Sequence, residues 1–167
     1  AEKLFVGTNG DKDPKVYLST DLGASWNELP AFPGYKTYKM PWIGQFRDSK
    51  GLQKTLVVLW GYKTNIADRV VRLYVLNEAK AAWEELPVID DIHFIFSFLV
   101  SSKGDFWIGT EKGRIYRSSD QGQTWEKQAE FPTNIGAYSL YEKKNGELMI
   151  GKDYVAPAAP SFWTTKT

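Results

Sequence analysis

The chain contains no cysteine, which excludes both a disulfide scaffold and a Cys-ligated zinc site. No apolar run approaches the ~20 residues that a membrane-spanning helix needs, so no membrane partner is expected. Neither sign of charge dominates. The 21 Lys and Arg stand against 20 Asp and Glu, and that balance argues against a dedicated nucleic-acid binder. The opening residues, AEKLFVGTNG, lack the apolar core of a signal peptide. A leader removed earlier leaves secretion open. No segment sustains a 3.6-residue apolar period, so helix content should be low.

What is present is aromatic. Phe, Trp and Tyr make up 15% of the chain, with seven tryptophans, and flat rings suit pleated surfaces. At 167 residues the chain has the length of one compact domain, with a core large enough to need no covalent staple. Three tryptophans, Trp26, Trp83 and Trp125, reveal an internal repeat. Nine residues before each stands a tyrosine (Tyr17, Tyr74, Tyr116), and five before each an acid (Asp21, Glu78, Asp120). The first and third copies, STDLGASW and SSDQGQTW, share Ser-x-Asp-x-Gly-x-x-Trp. The middle copy, LNEAKAAW, has lost the Ser, the Asp and the Gly. Phe-Pro follows the first and third copies, as Phe32-Pro33 and Phe131-Pro132.

A second recurring feature is Lys-Gly or Asn-Gly before an apolar run, as in KGLQKTLVVLWG, KGDFWIGT and NGELMIGK. That pattern reads as a tight hairpin leading into a strand. Each unit therefore reads as four short antiparallel strands, with strand four starting at the tryptophan. The Trp-to-Trp spacings are 57 and 42 residues, and the shorter is that of a four-stranded propeller blade. The expected fold is all-β: a propeller-like array of about four blades, roughly 1–34, 35–90, 91–132 and 133–167. The first blade lacks its strand one and the last its strand four, which leaves fourteen strands.

The Ser-x-Asp-x-Gly-x-x-Trp motif resembles the Asp-box, or bacterial neuraminidase repeat, of sialidase-like and sortilin-like β-propellers. The resemblance implies a hairpin joining strands three and four on the outer part of a blade. It also implies a secreted or periplasmic protein. Because such folds host unrelated activities, it says little about function. Ser19, Asp21, Gly23 and Trp26 form the first box, and Ser118, Asp120, Gly122 and Trp125 the second. Glu78 and Trp83 are what remains of the middle one. An acid that recurs in successive blades suits a turn staple better than a catalytic group. Asp and Ser side chains accept hydrogen bonds from their own turn, and Gly supplies a positive φ. The tryptophan is then expected to wedge between sheets.

In the proteins the chain resembles, ligands bind over the central channel, on loops joining strands two to three and four to the next strand one. The polar and aromatic residues there are Tyr35, Tyr38, Tyr62, Arg69, His93 and Tyr154, and these are the candidate ligand-binding residues. Asp90, Asp91 and Glu111 are the acids available for a two-carboxylate mechanism. Asp11 and Asp13 would be the ligands of a Ca²⁺ ion; otherwise no metal or cofactor is expected. Sialidase chemistry itself does not carry over. Of the five arginines (Arg47, Arg69, Arg72, Arg114, Arg117) only Arg69 falls on a channel-face loop, and Arg-Ile-Pro is absent. The expected function is a non-enzymatic module that binds a glycan or a protein surface. Glycoside hydrolysis and protein assembly are the alternatives. Incomplete terminal blades also suggest a homodimer that completes a ring.

Overall fold

The computed structural model describes residues 2–8, 13–33, 36–62, 70–87, 89, 92–131, 136–152 and 162–164. For 36–41, 61–62, 152 and 162–164 the backbone alone is described. Among these residues there are fourteen strands and no helix. Among the described residues, therefore, no helix is long and apolar enough to cross a membrane. The fourteen strands form four antiparallel sheets of three, four, four and three strands, the all-β, blade-like arrangement expected from the repeat.

Two compact units divide the chain, Ala1–Val88 and Ile89–Thr167. The first holds β1 (Leu4–Gly7), β2 (Val16–Ser19) and β3 (Asn27–Glu28) in one meander. Its second meander is β4 (Lys36–Arg47), β5 (Gln53–Tyr62), β6 (Val70–Asn77) and β7 (Ala82–Glu85). The other unit holds β8 (Ile95–Val100), β9 (Phe106–Thr110), β10 (Arg114–Ser118) and β11 (Glu126–Glu130). Beside them lie β12 (Ala137–Glu142), β13 (Leu148–Lys152) and β14 (Phe162–Thr164).

β5 and β9 are near-continuous apolar runs because both their faces are buried, whereas β1 is largely exposed. Leu56, Val57, Val58 and Leu59 of β5 are all buried, as is every residue of β9. The preceding hairpin is built the same way three times. Gly51, Gly104 and Gly146 each donate their N–H to the carbonyl three residues back, at 2.8–2.9 Å. Asp48, Ser101 and Lys143 each donate to the carbonyl four residues on, also at 2.8–2.9 Å. The glycines have φ of +76°, +87° and +82°, and a Cβ on any of them would meet nothing within 4 Å. The left-handed backbone, and not crowding, is what selects glycine in this bulged hairpin.

Within each unit the two sheets pack face to face. In the first, Val16, Phe5, Leu29 and Phe32 meet Val57, Leu59, Tyr74, Leu76 and Trp83. Trp83 is 5% exposed, stacks on Phe32 at 4.8 Å and donates its Nε1 to the carbonyl of Pro30 at 2.8 Å. Phe32 of the first repeat's Phe-Pro is thus a plug against the next sheet, while Pro33 stays exposed. In the second unit Trp107, Ile115 and Phe131 meet Ala137, Leu148 and Ile150.

The three repeat tryptophans do not share one environment, contrary to the expectation that each wedges between sheets. Trp83 does so, but Trp26 is 41% exposed and its Nε1 bonds the Gly23 carbonyl at 3.1 Å. Its ring lies near Leu4, whose neighbour Phe5 faces the packed sheet, so Trp26 sits on the opposite face. Trp125 is half-buried, and its buried Nε1 has no hydrogen-bond partner among the described residues.

Candidate functional site

The Ser-x-Asp-x-Gly turns of the two full boxes are held by the same side-chain hydrogen bonds, although only Trp26 of the two tryptophans bonds its own turn. Ser19 Oγ donates to Asp21 Oδ1 at 2.7 Å and accepts from the Gly23 N–H at 2.8 Å. Ser118 repeats both bonds, at 2.7 Å each, to Asp120 and Gly122. The rest of the carboxylate is occupied one residue before the tryptophan. Ser25 donates its N–H to Asp21 Oδ1 at 2.9 Å and its hydroxyl to Oδ2 at 2.6 Å. Thr124 does the same to Asp120, at 2.8 and 2.5 Å. The Ser25 and Thr124 donors, followed by the serine hydroxyls, hold both carboxyls well down, at about 2. A carboxylate so occupied is a poor proton donor near neutral pH. Ser25 and Thr124 were not singled out from the motif. Their signal was there: both full copies carry a hydroxyl before the tryptophan, and the decayed copy has Ala82.

The decayed hairpin is held by other means. Asn77 Oδ1 accepts the Lys80 N–H at 3.1 Å, and Ala81 takes the left-handed backbone, with φ +47°. Glu78 points away to Lys3, with Nζ to Oε1 at 2.6 Å.

The other end of the blades, where strand two leads to strand three, carries a different repeated device. Each described strand one slips register at an aromatic residue, and β4 slips a second time, between Lys39 and Trp42. In β4 the register slips between Thr37 and Lys39, at Tyr38. In β8 it slips between Ile95 and Ser97, at Phe96, and in β12 between Ala137 and Ser139, at Tyr138. A bulge leaves its extra residue out of the ladder and re-aims its side chain.

In the second unit the result is a row of rings. Phe96 and Tyr138 stack at 4.4 Å with 17° between planes, and Phe94 continues the row at 6.4 Å. Tyr138 is 50% exposed. A Cβ on Gly136 would come within 2.8 Å of both the Phe96 and Tyr138 rings, so glycine is what lets them close over the chain there. Ser97 Oγ donates to the Ala137 carbonyl at 2.8 Å and ties the two strands together beside the rings.

Glu111 and His93 lie at the same end. The Glu111 carboxylate accepts the backbone N–H of His93 on Oε1 and of Phe94 on Oε2, both at 3.2 Å. Its own N–H returns to the Phe94 carbonyl at 3.3 Å. Glu111 thus holds the lead into β8, and with it Phe94. The His93 side chain is exposed. Tyr62 closes β5 opposite Lys36, and Asp13 is exposed. Tyr35, Arg69, Asp90, Asp91, Tyr154 and Asp11 lie outside the described residues. Among those described, no three His, Cys, Asp or Glu side chains converge as a metal site. Phe96 and Tyr138 were missed from the sequence, although each precedes a serine at the same place in its repeat.

A chain of antiparallel meanders of three and four strands, with bulged aromatics at one end and hydrogen-bonded acidic turns at the other, has the blade-like arrangement of repeat-built β-proteins. No family model matches it. Over an alignment of 160 residues it is 24% identical to a xyloglucanase of Hypocrea jecorina, taking in 85% of this chain and 18% of that protein. Its fold resembles that of a protein of unknown function from Dyadobacter fermentans, with TM-score 0.56 and 17% identity over 89% of this chain and 48% of that one. It also resembles PorZ, a surface component of the type-IX secretion system of Porphyromonas gingivalis. There the TM-score is 0.58 at 11% identity, over 90% of this chain and 23% of the other. The chain therefore spans less than half the length of each of these proteins.

Proposed function

We propose that this chain is a non-catalytic, carbohydrate-binding set of Asp-box propeller blades from a secreted or periplasmic protein. The observation that carries the reading is the aromatic residue bulged out of every strand one, Tyr38, Phe96 and Tyr138. A half-exposed ring backed by a second ring offers a rigid apolar face to the C–H side of a sugar, and the tyrosine hydroxyl adds a polar tip. The xyloglucanase relative supports a β-linked glucan as the ligand class. Glu111 supports binding over cleavage, since both its oxygens are occupied by backbone N–H groups.

The test is titration calorimetry with soluble xyloglucan. Tyr138→Ala should weaken binding at least about tenfold, a loss of ~1.4 kcal/mol, with an unchanged circular dichroism spectrum. If the intact chain binds no β-glucan, or binds equally well without the Tyr138 ring, the proposal fails.

A second reading, glycoside hydrolysis, is favoured by the name of that same relative and by Asp90 and Asp91 preceding the aromatic row in sequence. Release of reducing ends from xyloglucan, abolished by Asp91→Asn, would establish it. Absence of any such release would leave binding as the function.

A further inference from the structure

We infer that Glu111 is a positioning residue for the carbohydrate platform, setting the Tyr138 ring through Phe94 and Phe96 without touching the sugar. The inference rests on the binding reading above and names what keeps that site rigid. Glu111 has a firm footing. It stands inside the tight turn between β9 and β10. There Gly113, with φ +69°, donates its N–H to the Thr110 carbonyl at 3.1 Å, and the Arg114 N–H goes to Thr110 Oγ1 at 3.1 Å. The Phe131 N–H closes on the Gly113 carbonyl at 3.0 Å. From this fixed backbone the carboxylate reaches the lead into β8 and takes one N–H on each oxygen, His93 on Oε1 and Phe94 on Oε2. The arrangement calls for a carboxylate. Glutamine would turn an NH₂ donor toward one of those N–H groups, donor against donor.

What the carboxylate fixes is the first ring of a stack. Phe94 lies 6.4 Å from Phe96 with 18° between planes, and Phe96 lies 4.4 Å from Tyr138 with 17°. Near-parallel rings at these separations are offset-stacked. Phe96 covers one face of Tyr138, so the exposed half of that tyrosine is its outer face and edge, and only the outer face is open to a pyranose. The Phe96 ring is in turn confined by Tyr138, by Phe94 and by Gly136, where a Cβ would come within 2.8 Å of it. Ser97 ties the adjoining backbone to Ala137 through a buried hydroxyl. Gly136 and Tyr138 belong to the β12 side of the stack, whereas Phe94 comes from the lead that Glu111 holds. If the lead is released, the Phe96 ring gains room to turn and Tyr138 loses its backing. A platform ring that must then be ordered at each binding event weakens affinity.

The experiment breaks this chain of contacts at two places. Glu111→Gln removes the anchor, and Phe94→Ala removes the first ring while leaving the carboxylate and its backbone partners. Ring-proton NMR shifts of Tyr138, recorded without ligand, report whether Phe96 still stacks on it. Calorimetry with soluble xyloglucan reports the platform. Exchange of the Phe94 amide should quicken about tenfold in Glu111→Gln, the factor one charge-assisted hydrogen bond supplies. In both variants the Tyr138 ring signals should move toward those of an unstacked tyrosine. Xyloglucan affinity should fall about threefold, as when a third of the molecules keep the ring in place. A merely local role would quicken Phe94 exchange and move neither the Tyr138 signals nor the affinity, and that result overturns the inference. So does an unmoved Tyr138 ring in Phe94→Ala, or a displaced ring with unchanged affinity. An intact protein that binds no xyloglucan counts against the proposed function, and the ring signals alone then decide whether Glu111 positions Tyr138.

Discussion

Removing a single hydroxyl, by Ser118→Ala, tests how the acidic turns contribute to stability. Ser118 is 1% exposed, and its Oγ makes two bonds, to Asp120 Oδ1 and from the buried Gly122 N–H, both at 2.7 Å. Alanine leaves the Gly122 N–H buried without an acceptor, and water has little access to replace the bond. The cost of such an orphaned donor is about 2 kcal/mol. Ser19→Ala removes the same two bonds in the first copy, but Gly23 is only half-buried and can be hydrated. The expected cost there is about 1 kcal/mol. Urea unfolding measures both differences, and amide hydrogen exchange at Gly122 locates the first. The expected results are that order of costs and a loss of Gly122 protection in Ser118→Ala. A change below about 0.5 kcal/mol in Ser118→Ala, or a larger loss at Ser19 than at Ser118, would refute the claim that buried donor satisfaction holds these turns.

Further outcomes follow from the same geometry. Because Asp21 and Asp120 are lowered in the folded state to about 2 from an ordinary 3.8, their contribution is fully present above the unfolded value. It is lost as pH falls through the folded value, so the urea midpoint should drop between about pH 4 and pH 2 beyond what an Asp21→Asn/Asp120→Asn variant shows. Equal pH profiles for the two proteins would contradict this. Trp83→Phe keeps a ring against Phe32 but loses the Nε1 bond to Pro30, and should cost about 2 kcal/mol in thermal or urea unfolding. Trp26→Phe, at a ring already 41% exposed, should cost less than about 1 kcal/mol, and equal costs would contradict the burial difference.

Much of this architecture was legible in one dimension, since short-range rules decide it. The glycines at positions 51, 104 and 146 mark three hairpins of one kind, because a left-handed residue at a fixed place in a turn is a local requirement. The spacing of tyrosine, acid and tryptophan sets the blade register, and Ser25 and Thr124 are readable in retrospect as part of the same local turn. The site was less legible. Glu111 looks like an available acid until the lead into β8 is folded against it, when the His93 and Phe94 N–H groups, 18 and 17 residues earlier, occupy both oxygens.

The sequence by itself determined the number of strands, their order within each sheet and the turns between them. Contacts a few residues apart are enough to specify those features, and the repeat states them more than once. Tertiary structure decided what each repeated residue faces. Three tryptophans in one motif position became a plug, a half-buried ring and a surface ring, because burial depends on the sheet opposite. The aromatics of strand one became re-aimed side chains because a bulge exists only relative to the strand it pairs with.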